Sequence, residues 1–209
     1  MIKIEPFKNI DKALHALDNG GRFYNLLTQA NDGLIVEAEL SKVAGLFNNK
    51  QQMMLFLDIA ISKLNEEKRE EVISKLEIEL REAYLKYKPL HIIPSQAYTR
   101  GKLGENTIIT GTPTLIESKD ELVGFIMIPI LTGEVTTFSM IPLMDLYDVY
   151  ELRDIPSDTN FIIAHIKDRK KLPNKKIRVA GVLKELKSDI DEELASKRFL
   201  EAVYYLDIE

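Results

Sequence analysis

The chain contains no cysteine. That absence removes disulfides, thiolate nucleophiles and cysteine-ligated zinc or iron-sulfur sites together, and it fits a reducing compartment. Histidine is scarce: His15, His91 and His165 stand far apart, and none has a carboxylate or second histidine at metal-ligand spacing. The phosphate-cradling G-x-x-x-x-G-K, a helix-opening G-x-G-x-x-G, H-E-x-x-H and the G-x-S-x-G nucleophile elbow are all missing. The sequence therefore offers no catalytic residue and calls for no cofactor, so an enzyme is disfavoured. No stretch reaches about 18 consecutive apolar residues. The opening MIKIEPFKNIDKAL also lacks the basic segment, apolar run and small-residue cleavage site of a leader. The expectation is a cytoplasmic protein that does not engage a membrane.

What is present is enough to fold. With 209 residues, 45% of them hydrophobic, the chain can bury a core in one or two domains. Its net charge of −5 and pI near 5.4 argue against a surface coated in positive charge for duplex DNA or anionic lipid, while leaving room for a local basic patch.

The chain changes grain near residue 95. Before it, apolar residues recur at helical spacing. Phe23, Leu26 and Leu27 follow a Gly20-Gly21 break, and Leu40, Val43, Ala44 and Phe47 form the next set. Met53, Met54, Leu57, Ala60, Ile61 and Leu64 make one stripe, and Val72, Ile73, Leu76, Leu80, Ala83, Tyr84 and Tyr87 another. Asn65 before Glu66-Glu67 is a helix cap, and Lys86, Lys88 and Pro89 a stop. This predicts about four helices. The span LHIIPSQAYTRGKLGE is a linker or lead-in. Beyond it come short runs rich in β-branched and aromatic residues: NTIITGTPTLI, LVGFIMIPIL, LYDVYELR, NFIIAHI, KKIRVAGVLKEL and RFLEAVYYLDI. The fold class is α+β, a helical domain over 1–94 followed by a β domain over 95–209.

The strand order, the Pro-Asn turn before Ile177 and the alternation Ile177, Val179, Gly181, Leu183 resemble the oligonucleotide/oligosaccharide-binding (OB) fold, with residues 105 to 209 as its barrel. A 25-residue insertion, SKDELVGFIMIPILTGEVTTFSMIP, would lie between the first and second strands. The resemblance implies binding of single-stranded nucleic acid through the second and third strands. It points to Tyr147, Tyr150 and Arg153 on the second and Phe161 and His165 on the third. The basic run KDRKKLPNKKIR adds Lys167, Arg169, Lys170, Lys171, Lys175, Lys176 and Arg178 as phosphate contacts, or as a solvated turn. Against a nucleic-acid ligand stand Asp145, Asp148, Glu151 and Asp154 on the second strand and Asp189, Asp191, Glu192 and Glu193 before the last.

One N-terminal stretch, TQANDGLIVEAE, has the spacing of the second half of a helix-loop-helix calcium loop, a degenerate EF-hand. Asp32, the Leu34 carbonyl and Glu39 would be ligands, but Thr28 and Ala30 stand where carboxylates belong, and calcium takes six to eight oxygens. The alternative is a turn: Asn31-Asp32-Gly33 turns the chain, Leu34-Ile35 packs inward, and Glu37 and Glu39 open the next helix. The same DG-x-I-x-x-x-E pattern is similar to helices of the tellurite-resistance B family. The expected role is a non-catalytic binding or scaffold protein, with the helical domain contacting a protein partner and the barrel adding a second surface. A single-stranded nucleic-acid binder and an enzyme with a pocket between the domains are the alternatives. The sequence sets no oligomeric state.

Overall fold

The computed structural model describes residues 1–20, 29–46, 49–117, 125–132, 135–154, 158–167, 170–186 and 198–208. Two compact units emerge: Lys3–Pro89, and Leu90–Glu209 together with Met1–Ile2.

The first unit is helical, with α1 (Ile10–Leu17), α2 (Glu37–Ala44), α3 (Lys50–Ala60), α4 (Glu66–Ser74) and α5 (Ile78–Tyr87) among its described residues. Asparagine side chains open three of them: Asn9, Asn49 and Asn65 accept the backbone N–H groups of Lys12, Gln52 and Lys68 at 2.9–3.0 Å, replacing bonds that the first turn lacks. From Met53 to Ala60, α3 is buried on every side, as expected of the central helix of a small bundle. Inside the unit, the Tyr84 hydroxyl donates to Asp58 Oδ1 at 3.1 Å.

Of the four apolar stripes, the first, Phe23, Leu26 and Leu27, lies outside the described residues; the second and third form α2 and α3, α1 stands before them all, and the last is broken at Leu76 into α4 and α5. There the chain forms a one-residue parallel bridge with Ile35. Ile35 N–H donates to Lys75 O at 2.7 Å, and Glu77 N–H donates to Ile35 O at 3.0 Å. A tertiary hydrogen-bond pair takes the place of one helical turn; Glu77 then precedes α5 without a side-chain cap, its Oε1 accepting the Glu37 N–H at 2.8 Å instead.

The second unit holds a closed five-stranded β-barrel. Its strands are β3 (Asn106–Leu115), β6 (Tyr147–Asp154), β7 (Thr159–Ile166), β8 (Ile177–Glu185) and β9 (Arg198–Asp207). Short β1 (Ile2–Lys3) and β2 (Leu90–Ile92) lie at its margins, and α6 (Ala97–Arg100) precedes β3. The circuit runs β3-β6-β7-β9-β8 and back to β3, antiparallel except for β7 against β9. β3 serves two partners: Asn106–Gly111 pair with β8, and Thr112–Leu115 with β6. The expected lead-in thus supplies β2, a 3-10 turn and α6.

The glycine expected to relieve crowding on the fourth barrel strand stands where the β8/β9 register slips. A Cβ on Gly181 would sit 2.2 Å from the Glu201 carbonyl oxygen. The strand bends only because that atom is missing. The barrel interior is packed by Ile109, Tyr150, Leu152, Phe161, Ile163 and Val179 with their neighbours. The insertion forms a separate hairpin, β4 (Phe125–Thr132) against β5 (Val135–Pro142), followed by the single turn α7 (Leu143–Leu146). Among the described residues, no helix is long and apolar enough to cross a membrane.

Candidate functional site

Alternation along β6 and β7 decides which side chains a ligand laid on the barrel would meet. Tyr150 and Leu152 point into the barrel core with Phe161 and Ile163. The opposite face is covered too at one end, where Tyr147, Val149, Ala164 and Phe199 pack with Leu143 of α7 in a second apolar cluster. β6 is therefore buried on both sides, which its sequence, with three acidic residues in eight, does not announce.

The four rings proposed for base stacking are consequently committed to packing. Tyr150 is 2% exposed; its ring stacks on His165 with centroids 5.7 Å apart, and its hydroxyl accepts the Leu172 N–H at 3.2 Å. Burial chiefly, with the nearby Asp148 charge, pushes that phenol up, and the Leu172 hydrogen bond offsets part of it. Phe161 is 1% exposed and meets Tyr98 edge-on at 5.3 Å. His165 is buried, with Nδ1 2.8 Å from the Ile166 carbonyl oxygen. Tyr147 packs edge-on against Phe199 and donates its hydroxyl to Glu201 at 2.6 Å; burial first and that carboxylate second raise its pKa. Arg153 is exposed, but its Nε donates to Asn160 Oδ1 at 3.3 Å, and Asn160 donates to Glu151 at 3.0 Å. This outer edge is a polar ladder satisfied within itself.

The basic run is partly neutralised. Lys171 Nζ lies 2.6 Å from Asp148, and Lys175 Nζ 2.9 Å from Asp207. Lys167, Lys170 and Lys176 are exposed, and Arg178 is half-buried on β8. Arg169 lies outside the described residues, as do Asp189, Asp191, Glu192 and Glu193. Of the second-strand carboxylates, Asp148 is held by Lys171, and Asp154 accepts the Ser95 hydroxyl at 3.2 Å.

Beside that ion pair opens a cleft of about 490 Å³. Its apolar wall is formed by Leu115, Ile116, Met144, Val149 and the Tyr147 ring. Four charged groups line it as well: Glu117, Asp148, Lys167 and Lys171. The Lys171 ammonium is held above its usual pKa by its hydrogen bond to Asp148, with a smaller contribution from Glu117. Sequence reasoning named Tyr147, Lys167 and Lys171 but not their convergence here, because they come from separate elements.

The hairpin carries a second feature. Met127 pairs with Met140 across β4 and β5, and Phe138 lies on the same face; these side chains are 47%, 44% and 61% exposed. Glu134 is the one charged residue between Phe125 and Pro142. The available signal was the near-absence of charge between Phe125 and Pro142.

The proposed calcium ligands face their own backbone. Glu39 has no exposed surface; its Oε1 accepts the Gly20 N–H at 2.5 Å, and its Oε2 the Val36 N–H at 3.0 Å. Asp32 Oδ1 accepts the Leu34 N–H at 3.0 Å, while Asp18 accepts from Asp32 and Gly33 at 3.3 and 2.7 Å. Asn31 and Gly33 adopt positive φ, 58° and 88°, as a tight turn requires. Ile35 is fully buried, but Leu34 is 45% exposed, so only half of the pair packs inward. Among the described residues, no group of three histidine, aspartate or glutamate side chains is placed to hold a metal ion. No protein-family model matches the chain, and no curated protein and no solved structure is significantly similar to it.

Proposed function

We propose that this protein is a non-catalytic binding or scaffold protein whose partners are other proteins, its barrel belonging to the OB type. The circuit in which the first barrel strand pairs with both the second and the fourth supports the OB reading, as does an insertion in the loop between the first two strands, where such barrels take ligands. The observation that carries the protein-partner reading is the hairpin face of Met127, Phe138 and Met140. Nucleic acid would demand cations there. An uncharged face of two methionines and a phenylalanine suits instead an apolar patch on another protein, since methionine adapts to varied surfaces and contiguous exposed apolar groups mark contact sites. In the helical unit, Ile78 and Leu85 on α5, 74% and 73% exposed and two turns apart, supply a second apolar contact.

A photo-crosslinking residue at Met140 in the full chain tests this. Capture of a protein that is lost in Phe138→Ser, with the circular dichroism of the fold unchanged, is the expected result. Crosslinking to nucleic acid, or none at all, overturns it.

Single-stranded nucleic acid stays as the second reading, favoured by the exposed Lys167, Lys170 and Lys176. It requires binding of a labelled strand at about 20 mM salt that weakens as salt rises and when these lysines become alanine.

A further inference from the structure

The cleft beside β6 holds charges of both signs over an apolar wall, and their pairing is uneven. Lys171 and Asp148 neutralise each other at 2.6 Å. Neither the Lys167 ammonium nor the Glu117 carboxylate has an ion-pair partner among the described residues. The Tyr147 hydroxyl is turned away to Glu201, so its ring presents carbon to the space. Among the described residues, what remains for a ligand is one cation, one anion and a surface of aliphatic and aromatic carbon.

We propose that this cleft binds a free α-amino acid with an apolar side chain. Lys167 takes the carboxylate, Glu117 takes the ammonium, and the side chain lies on Ile116, Met144 and Val149. A simple anion would gain Lys167 but face Glu117, and Asp148 already cancels Lys171. A simple amine would meet the reverse conflict. A zwitterion satisfies both groups at once, and a free amino acid carries both charges on one carbon, whereas a peptide end carries one. The volume of about 490 Å³ falls within the range typical of small-molecule pockets. With Asp148 only 9% exposed and held by Lys171, Lys167 and Glu117 are the discriminating charges of the cleft.

The test is a chemical-shift titration of the full-length ¹⁵N-labelled chain with L-leucine, L-methionine and L-phenylalanine. Saturable shifts at the amides of Glu117, Met144, Tyr147 and Lys167 are expected. N-acetyl-L-leucine, without the ammonium, and L-leucinamide, without the carboxylate, bind about tenfold more weakly or worse. Lys167→Met removes the preference for leucine over leucinamide, and Glu117→Gln removes the preference over N-acetyl-leucine. Both side chains are exposed, so each variant keeps the parent's thermal transition. Absence of saturable shifts with all three amino acids at about 50 mM, or N-acetyl-leucine binding as tightly as leucine, overturns the proposal.

Discussion

Glu39 Oε2 accepts the Val36 backbone N–H at 3.0 Å, from a carboxylate with no solvent exposure. The contact folds the third residue of α2 back over the residue that opens it, so that one side chain closes a helix end. Its other oxygen reaches Gly20, and α2 is thereby tied to the chain that follows α1. Burial foremost, with Asp18 and Asp32 nearby, raises the Glu39 pKa above 4.5, although the two N–H bonds oppose the shift.

The sign of the pH effect follows. A carboxyl whose folded pKa exceeds its unfolded value contributes stability that is complete below the unfolded value and is lost as pH rises through the folded one. Measured by urea unfolding at 222 nm, the stability of the parent relative to Glu39→Gln therefore increases as pH falls from 7 toward 4.5. A flat difference across that window refutes the assignment. Glu39→Ala, which strands two backbone donors, costs about 1–2 kcal/mol at neutral pH.

Calcium leaves the helical unit unchanged. Both Glu39 oxygens are occupied by backbone N–H groups, and a cation would have to displace them. Calorimetric titration to millimolar calcium should give no binding heat and no rise in melting temperature; a stoichiometric heat would show that the loop rearranges to a coordinating form.

The tyrosines predict an alkaline transition. Burial pushes Tyr204 up to about 12, and burial with the neighbouring carboxylates raises Tyr84 and Tyr147 as well, Asp58 acting on the first and Glu201 on the second. These folded values exceed the unfolded value of about 10, so their contribution is lost as pH rises beyond it. Absorbance at 295 nm should show these tyrosines still protonated at pH 11 and ionising together with loss of structure. Tyr84→Phe, which takes a donor from buried Asp58, costs about 1–3 kcal/mol at neutral pH.

Gly181→Ala tests the barrel closure. The added Cβ would lie 2.2 Å from a backbone carbonyl oxygen and 2.9 Å from the Ala202 Cα, neither of which a rotamer change can relieve. Destabilisation of about 2–3 kcal/mol is expected in chemical denaturation. Gly104→Ala is a useful contrast, since no atom lies within 4 Å of its Cβ and only its φ of 81° opposes the change. A neutral Gly181→Ala would mean that β8 and β9 are not this close.

Much of the fold was legible because apolar periodicity is a local property. Met53, Met54, Leu57 and Leu64 mark α3 and the turn after it, and alternation through Ile177, Val179 and Leu183 marks β8, whichever partners these elements find. The capping asparagine Asn65 and the turn at Asn31-Asp32-Gly33 act within a few residues of themselves and were readable for that reason. The candidate site was less legible. The rings of Tyr147, Tyr150, Phe161 and His165 have the chemistry of a stacking platform, and nothing in LYDVYELR tells which of its faces is covered.

By itself, then, the sequence determined a helical part followed by a strand-rich part, the cap at Asn65 and the stop at Pro89, and the lack of any catalytic or metal-binding pattern. Tertiary structure decided the rest through contacts between residues far apart in the chain. Ile35 bridging Leu76 split a helix in two, and β7 lying parallel to β9 closed the barrel. Asp148 and Asp207 captured two of the seven cations of the basic run, and Leu143 and Phe199 covered the outer face of β6. Propensity and periodicity act over a few residues, whereas burial, ion pairing and the shape of a cleft depend on which distant segments meet.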